Sequence, residues 1–132
     1  MSTAESPELA DARRRGDPFL IYLDSSGRER VLSMPDAWTR VTVGRGMASD
    51  VPLAWDPAVS TVHATLERLG DDWVLIDEGL SRNGTFVNGE QVSGRRRLID
   101  GDELRFGDTR VGFHAPFQVS DATEITARPD LG

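Results

Sequence analysis

The sequence contains no cysteine and only two histidines, His63 and His114. Without thiols the chain can form neither disulfides nor thiolate zinc sites, and it has no cysteine nucleophile. Two histidines are too few for the usual histidine-based metal sites. We therefore expect neither a metal ion nor another cofactor.

The sequence also lacks long apolar runs. No stretch approaches the ~20 consecutive apolar residues that a membrane-spanning helix needs. The N-terminal residues are mostly polar and hold no apolar run of signal-peptide length. These features predict a cytoplasmic protein that does not contact the membrane.

A net positive charge is missing as well, since 15 Lys and Arg against 22 Asp and Glu give −7. Duplex binding depends on a broad cationic face, so nucleic acid is not the expected main partner. The basic run Arg95-Arg96-Arg97 is most simply a solvated loop or edge strand, with nucleic-acid contact as the alternative. The negative charge still permits one small anion site, because a few convergent donors can dominate locally.

What the sequence does have is a series of short apolar runs separated by Gly, Asn and Asp clusters. Within residues 39–43 and 63–69, apolar or β-branched residues alternate with polar ones, which is typical of antiparallel strands with one solvated face. Many short strands at roughly 8–12-residue spacing indicate a sandwich or barrel. The sequence therefore predicts an all-β fold, an antiparallel β-sandwich of about 10–11 short strands.

The 132 residues fit one domain with short tails. Residues 1–16 are predicted to be a flexible N-terminal arm, with a short helix over residues 7–15 as the alternative. The flexible arm is favoured because the apolar face of such a helix is limited to Leu9, Ala10 and Ala12. Residues 17–119 form the predicted domain, and residues 120–132 a flexible acidic tail.

Three predicted loops carry groups that bind anions. They contain Gly44-Arg45-Gly46, Ser60-Thr61-Val62-His63 and Ser81-Arg82-Asn83-Gly84-Thr85. Loops of a sandwich can gather at one end, and together these offer two guanidinium groups, several hydroxyls and an amide. An arginine fork matches a phosphate bidentately, so the combination indicates a phosphate-binding site.

Two enzymatic interpretations of the same residues fail. The glycines at positions 44 and 46 resemble a dinucleotide fingerprint, but Pro52 and Pro57 stand where its helix should run. Ser60 and His63 lack an evident orienting carboxylate or oxyanion loop, so a histidine that hydrogen-bonds loop backbone is the better interpretation. We therefore do not expect an enzyme.

In their order and spacing these motifs resemble the forkhead-associated (FHA) family. The resemblance includes Gly44-Arg45, Ser60-x-x-His63 and residues 81–89, and it extends to Leu98-x-Asp100-Gly101-Asp102-x-Leu104-x-Phe106-Gly107. It covers about residues 19–117. It implies an 11-stranded β-sandwich that acts as a signalling adaptor and recognises phosphothreonine peptides produced by a Ser/Thr kinase.

The resemblance also implies a role for each matching residue. Arg45 would pair with the phosphate, Ser60 would donate its hydroxyl to it, and Asn83 would hydrogen-bond the peptide backbone. Thr61 stands where members often carry a longer residue, and Arg82 would either supply a phosphate contact or point into solvent. The loops would be shaped by six further residues: Gly44, His63, Gly84, Thr85, Asn88 and Gly89.

Two alternatives stay open at this stage. The chain could be a structural or assembly module whose phosphate pocket is unused. Separately, phosphorylation of Thr3, Thr123 or Thr126 in the predicted tails could place a phosphothreonine in the pocket of the same or a second molecule, giving self-association.

Overall fold

The computed structural model describes residues 7–116, which form one short helix and eleven strands. The elements are α1 (Pro7–Arg15), β1 (Phe19–Leu23), β2 (Glu29–Ser33), β3 (Arg40–Gly44), β4 (Val51–Pro52), β5 (Ala64–Leu69), β6 (Asp72–Asp77), β7 (Thr85–Val87), β8 (Glu90–Gln91), β9 (Gly94–Arg97), β10 (Glu103–Phe106) and β11 (Thr109–His114).

The strands form two sheets. One has the order β2-β1-β11-β10-β7-β8 and the other β4-β3-β5-β6-β9. Neighbouring strands are antiparallel except β3 and β4, which pair in parallel at Val43↔Val51 and Gly44↔Pro52. The predicted β-sandwich is confirmed, and the parallel pair is a local exception to its antiparallel description.

The core lies between the two sheets and follows the period of two read from the sequence. In β3, Val41 and Val43 are buried while Thr42 between them is half-buried. In β11, Val111 and Phe113 point into the same core, and Arg110 is exposed. Trp73 is buried in this core, and Trp38 and Trp55 pack against it.

Over residues 7–15 the structure has the helix α1, the alternative to the flexible arm that the sequence favoured; residues 1–6 of that arm lie outside the described range. Pro7 occupies the first helical position, where its missing N–H costs nothing, and Gly16 ends the helix with φ of 77° and a hydrogen bond to the Ala12 carbonyl of 3.0 Å. Leu9 and Ala12 are buried against Phe19 at the start of β1. The apolar face is small, as the sequence showed, but the folded sheet supplies a matching apolar surface.

Two strands could not be predicted from the pattern of apolar runs. The strand β8 contains only Glu90 and Gln91, and β9 contains the basic run, so neither has an apolar face to detect. The strand β9 is the edge of its sheet, where charged side chains are common because they discourage pairing with other chains. This outcome fits the edge-strand interpretation of Arg95-Arg96-Arg97.

Two of these three arginines form ion pairs with acidic neighbours. Arg96 pairs with Glu90 at 3.0 Å, and Arg97 with Asp72 at 3.2 Å. The pairing reduces the cationic surface that a nucleic acid would meet. Within residues 7–116, no helix combines the length and the apolar character needed to cross a membrane.

Candidate functional site

Three loops meet at one end of the sandwich: residues 45–50 between β3 and β4, residues 53–63 between β4 and β5, and residues 78–84 between β6 and β7. They enclose a cavity of about 180 Å³. The five binding residues predicted from the sequence all line it: Arg45, Ser60, Thr61, Arg82 and Asn83. The structure therefore brings together side chains that are up to 38 positions apart in the sequence.

The two arginines give this cavity its charge. Arg45 and Arg82 are exposed, and neither guanidinium has an ion pair or a hydrogen bond with any other residue in the range 7–116. An unpaired guanidinium group can form two parallel hydrogen bonds to a phosphate without first breaking another contact. The cavity is thus suited to an anion.

Ser60 and Asn83 are already held by backbone groups. The Ser60 Oγ accepts a hydrogen bond from the Arg82 N–H at 2.9 Å, which leaves the hydroxyl proton free to be donated to a ligand. The Asn83 Nδ2 donates to the Ala58 carbonyl at 2.8 Å, so its carbonyl oxygen remains as an acceptor. Both side chains are therefore oriented before any ligand arrives. Thr61 is exposed at the rim of the cavity.

His63 joins two of the loops from beneath the cavity. Its ring is 1% exposed; the Nδ1 accepts from the Ser60 N–H at 3.0 Å, and the Nε2 is 2.9 Å from the Gly84 carbonyl. Since Nδ1 is an acceptor here, the neutral ring carries its proton on Nε2 and donates it to Gly84. Both nitrogens are thus engaged with backbone, and His63 is not placed as a base for the Ser60 hydroxyl.

Gly44 allows the first two loops to approach each other closely. A Cβ at this position would lie 2.2 Å from the Thr61 carbonyl oxygen, far inside contact distance. The approach is fixed by two backbone hydrogen bonds, Arg45 N–H to the Ser60 carbonyl at 3.0 Å and Gly46 N–H to the Thr61 carbonyl at 3.3 Å. Gly44 therefore determines where Arg45 stands relative to Ser60.

Asp77, which the sequence analysis missed, holds the third loop. Its carboxylate is 6% exposed and accepts from the Ser81 Oγ at 2.6 Å, the Thr85 Oγ1 at 2.8 Å and the Gly79 N–H at 2.9 Å. Burial raises the pKa of Asp77, but these hydrogen bonds outweigh that effect, and the pKa lies below its ordinary value of 3.8. The sequence pattern that could have indicated this role is an aspartate at the end of a predicted strand followed by Gly79 and Ser81, since aspartate side chains commonly accept hydrogen bonds within turns.

Asp56 plays the same part in the second loop. It is 3% exposed and accepts from the Thr109 Oγ1 at 2.7 Å, the Asp108 N–H at 2.8 Å and the Ala58 N–H at 2.9 Å. Burial opposes its ionisation, yet the hydrogen bonds prevail and the pKa is lowered. This carboxylate connects the loop to the turn between β10 and β11, a contact that no local sequence pattern predicts.

The remaining loop-shaping residues, Gly84, Asn88 and Gly89, do not line the anion cavity. Gly84 has φ of 89° and lies beside the Gln91 side chain. Both residues border a second cavity of about 400 Å³, which Arg82 and Asn83 border as well. Asn88 (φ 51°) and Gly89 (φ 86°) form the turn between β7 and β8, with the two left-handed residues that a type I′ turn requires. The Asn88 side chain bonds Asp102 and the Glu103 N–H, both at 2.9 Å, and so supports the hairpin.

Two other observations concern the rest of the described structure. A larger cavity of about 580 Å³ lies by Tyr22, Trp55 and the beginnings of β10 and β11, and none of the five predicted binding residues lines it. Within residues 7–116, no three side chains of the His, Cys, Asp and Glu types are grouped to hold a metal ion.

The fold and the site together define a β-sandwich binding module whose loops at one end form a cavity suited to an anion. The protein-family model described as FHA domain matches residues 41–107, half of the 132-residue chain. The chain belongs to the FHA family. The family resemblance stated from the sequence motifs is therefore confirmed.

Curated relatives agree with this assignment. The oxoglutarate dehydrogenase inhibitor of Corynebacterium jeikeium is 41% identical over 70 residues, which are 53% of this chain and 46% of that protein. The DNA damage response protein kinase DUN1 of Saccharomyces cerevisiae is 33% identical over 91 residues, 64% of this chain and 17% of the kinase. The chain thus spans less than half of the length of either relative.

A solved structure agrees at the level of fold. It comes from a structural and functional analysis of phosphothreonine-dependent FHA domain interactions. It matches this chain with a TM-score of 0.61 at 31% identity, covering 74% of this chain and 95% of the other. The similarity therefore extends over nearly the whole of that domain.

Proposed function

We propose that this chain binds a phosphothreonine-containing segment of a partner protein, as a signalling adaptor downstream of a Ser/Thr kinase. The observation that carries the proposal is the convergence of two unpaired guanidinium groups, Arg45 and Arg82, with the Ser60 hydroxyl on one cavity. Membership of the FHA family and the phosphothreonine-dependent interactions of a related solved domain support it.

Each residue has a defined part in the proposal. Arg45 pairs with the phosphate, and Ser60 donates its remaining hydroxyl proton to it. Arg82 approaches the phosphate from the opposite loop and supplies the charge that Thr61, with its short side chain, does not. Asn83 accepts from the peptide backbone beside the phosphothreonine through its free carbonyl oxygen.

The expected strength suits a reversible interaction. A hydrogen bond to a charged group contributes roughly 1.5–3 kcal/mol. Two or three such bonds, less the costs of desolvation and ordering, correspond to affinities on the order of micromolar. Without the phosphate both arginines lose their partner, so the unmodified segment binds far more weakly.

The described residues constitute the binding module, and an enzymatic activity is not part of the proposal. The yeast relative is a protein kinase, but this chain spans only 17% of it. A cytoplasmic location stays a prediction. Self-association through Thr3, Thr123 or Thr126 also stays a prediction, because these residues lie outside the described range.

The test is calorimetric titration of a degenerate phosphothreonine peptide library into the wild type, Arg45→Ala and Arg95→Ala. Arg95 is an exposed arginine on β9 that does not line the cavity, and its replacement changes the net charge equally. We expect micromolar binding by the wild type and Arg95→Ala, at least a tenfold loss in Arg45→Ala, and no measurable binding of unphosphorylated peptides.

Other outcomes point to other functions. A folded wild type that ignores phosphorylation would refute the proposal and favour a structural or assembly module with an unused pocket. Binding to nucleic acid that depends on Arg95 and not on Arg45 would favour the basic strand as the functional surface.

A further inference from the structure

The chain contains two asparagine residues, and each of them is followed by glycine: Asn83-Gly84 and Asn88-Gly89. An Asn-Gly pair is especially prone to spontaneous deamidation, because glycine has no Cβ to hinder the attack of its backbone nitrogen on the preceding side chain. Both asparagines are exposed to water. The two sites therefore differ in how the surrounding structure holds the side chain.

The reaction needs water and no other reagent. At the first site, the Gly84 backbone nitrogen attacks the Asn83 Cγ, the new N–C bond closes a succinimide ring, and Nδ2 leaves as ammonia. Water then adds to one of the two ring carbonyls and opens the ring, giving aspartate or isoaspartate. In sum, the amide and one water become a carboxylate and an ammonium ion.

Asn88 is held against this reaction by both ends of its side-chain amide. Its Nδ2 donates to the Asp102 carboxylate, and its Oδ1 accepts from the Glu103 N–H, both at 2.9 Å. Its own backbone N–H donates to the Glu103 carbonyl at 2.7 Å, and its φ of 51° belongs to the tight turn between β7 and β8. The Asn88 Cγ can turn towards the next nitrogen only after both side-chain bonds break.

Asn83 is held less firmly. Among residues 7–116 its side chain makes one hydrogen bond, from Nδ2 to the Ala58 carbonyl at 2.8 Å. It lies in the loop of residues 78–84 and not in a two-residue turn between paired strands. Because only one side-chain bond must break, Asn83 should deamidate before Asn88.

Deamidation of Asn83 places an anion inside the anion cavity. An amide both donates and accepts hydrogen bonds, whereas a carboxylate only accepts them, so the contact with the Ala58 carbonyl turns from attraction to repulsion. The guanidinium groups of Arg45 and Arg82 line the same cavity and have no ion pair within residues 7–116. The new carboxylate is therefore drawn towards them and competes with a phosphate for the same donors.

The isoaspartate product disturbs the site in a second way, because it adds a carbon to the main chain directly before Gly84. The Gly84 carbonyl is 2.9 Å from the His63 Nε2, and a Cβ on Gly84 would lie only 2.9 Å from the Gln91 Nε2. The backbone thus has little room to shift. Since the other ring nitrogen of His63 accepts from the Ser60 N–H, displacement of Gly84 also reaches Ser60.

We infer that Asn83 is a site of spontaneous, irreversible modification that inactivates the module, because the carboxylate formed there occupies Arg45 and Arg82 in place of a phosphothreonine. The loss of peptide binding rests on the proposed function, whereas the order of modification rests only on the hydrogen bonds of the two asparagines. A bound peptide that donates to the free Oδ1 of Asn83 restrains the side chain, so the occupied module should be modified more slowly than the free one.

The first experiment follows the full chain during incubation at mildly alkaline pH, with and without the phosphothreonine peptide library. Peptide mapping by mass spectrometry measures the acid formed at each asparagine. Asn88 must break one hydrogen bond more, so we expect Asn83 to react at least about fivefold faster, and only Asn83 to be slowed by the library. Equal rates, or faster reaction of Asn88, would overturn the inference.

The second experiment tests the consequence for binding. Asn83→Asp carries the charge from the start, and Asn83→Ala removes the amide without adding a charge. The control Ala37→Asp adds the same charge to an exposed turn before β3, at the opposite end of that strand from Arg45. Urea denaturation first establishes that each variant is folded, and calorimetry then gives the affinity for the phosphothreonine library.

We expect Asn83→Asp to bind at least about tenfold more weakly than the wild type and more weakly than Asn83→Ala, with the control close to the wild type. Wild-type protein modified at Asn83, separated by ion exchange after incubation, should show the same loss, which keeps the test valid if Asn83→Asp does not fold.

The contrary results are distinguishable. Equal affinities of Asn83→Asp and Asn83→Ala, or full binding by the modified wild type, would refute inactivation by the internal carboxylate while leaving the proposed function intact. A fresh wild type that binds phosphorylated and unphosphorylated libraries equally would refute the proposed function and, with it, the effect on peptide binding. The mass spectra would still decide which asparagine reacts first.

Discussion

Replacing Gly44 by alanine should disrupt the site although Gly44 offers no side chain to a ligand. The new methyl would lie 2.2 Å from the Thr61 carbonyl oxygen, whereas ordinary contacts begin at 3.4 Å. The two loops must therefore separate by about 1.2 Å, the difference between these distances. The atom in the way belongs to the backbone, so no side-chain rotation relieves the overlap.

The separation has a calculable cost. The Gly46 N–H to Thr61 carbonyl bond, already 3.3 Å long, would be lost first, and the Arg45 N–H to Ser60 carbonyl bond would be stretched. Overpacking costs about 1–3 kcal/mol and each lost hydrogen bond about 0.5–1.5 kcal/mol, so we expect a destabilisation of about 2–4 kcal/mol. Because Arg45 moves away from Ser60, affinity for a phosphothreonine peptide should fall at least about tenfold.

The matched control is Gly46→Ala. A Cβ there would lie 3.5 Å from the Thr61 Cγ2, an ordinary contact, so stability should stay within about 0.5 kcal/mol of the wild type. Urea denaturation with equal m values gives the stability difference, and calorimetry gives the affinity. A Gly44→Ala protein with the wild-type midpoint and affinity would show that the close approach of the two loops does not position Arg45.

Three further predictions concern the supports of the site and fold. His63→Ala leaves the Ser60 N–H and the Gly84 carbonyl without their partner, and we expect a loss of about 2–4 kcal/mol in urea denaturation together with weaker peptide binding. Because the pKa of Asp77 is lowered in the folded state, its ionised carboxylate stabilises the fold at pH values above the ordinary pKa of 3.8, and this contribution is lost as the pH falls through the folded-state pKa. Asp77→Asn should therefore be less stable than the wild type at pH 7 and show a flatter decline in stability below pH about 4. Leu9→Ser should detach α1 at a cost of about 1–3 kcal/mol without changing peptide affinity, as denaturation and calorimetry would show.

Each of these has a contrary outcome. Wild-type stability of His63→Ala would mean that the two loops are held by other contacts. Parallel pH profiles for the wild type and Asp77→Asn would contradict the assignment of the acid-sensitive contribution to that carboxylate. A change in peptide affinity in Leu9→Ser would show that α1 influences the loop end of the sandwich.

The fold class and the chemistry of the candidate site could be predicted from the sequence alone. Alternation such as Val41-Thr42-Val43 marks a strand because side chains of a strand point to opposite faces, and this information is entirely local. The loop motifs around Arg45, Ser60 and Arg82 likewise indicated an anion site, since the donor groups are a property of residue type.

Which of these residues come into contact, and which groups hold them there, could not be predicted from the sequence and follows from long-range packing. The contacts of Asp56 with Thr109 and of His63 with Gly84 join positions 53 and 21 residues apart, and no local pattern specifies such pairs. The helix α1 depends on tertiary structure in the same way, because Leu9 gains its partner only from a folded sheet. Long-range packing selects these arrangements because it alone brings distant segments of the chain within contact distance.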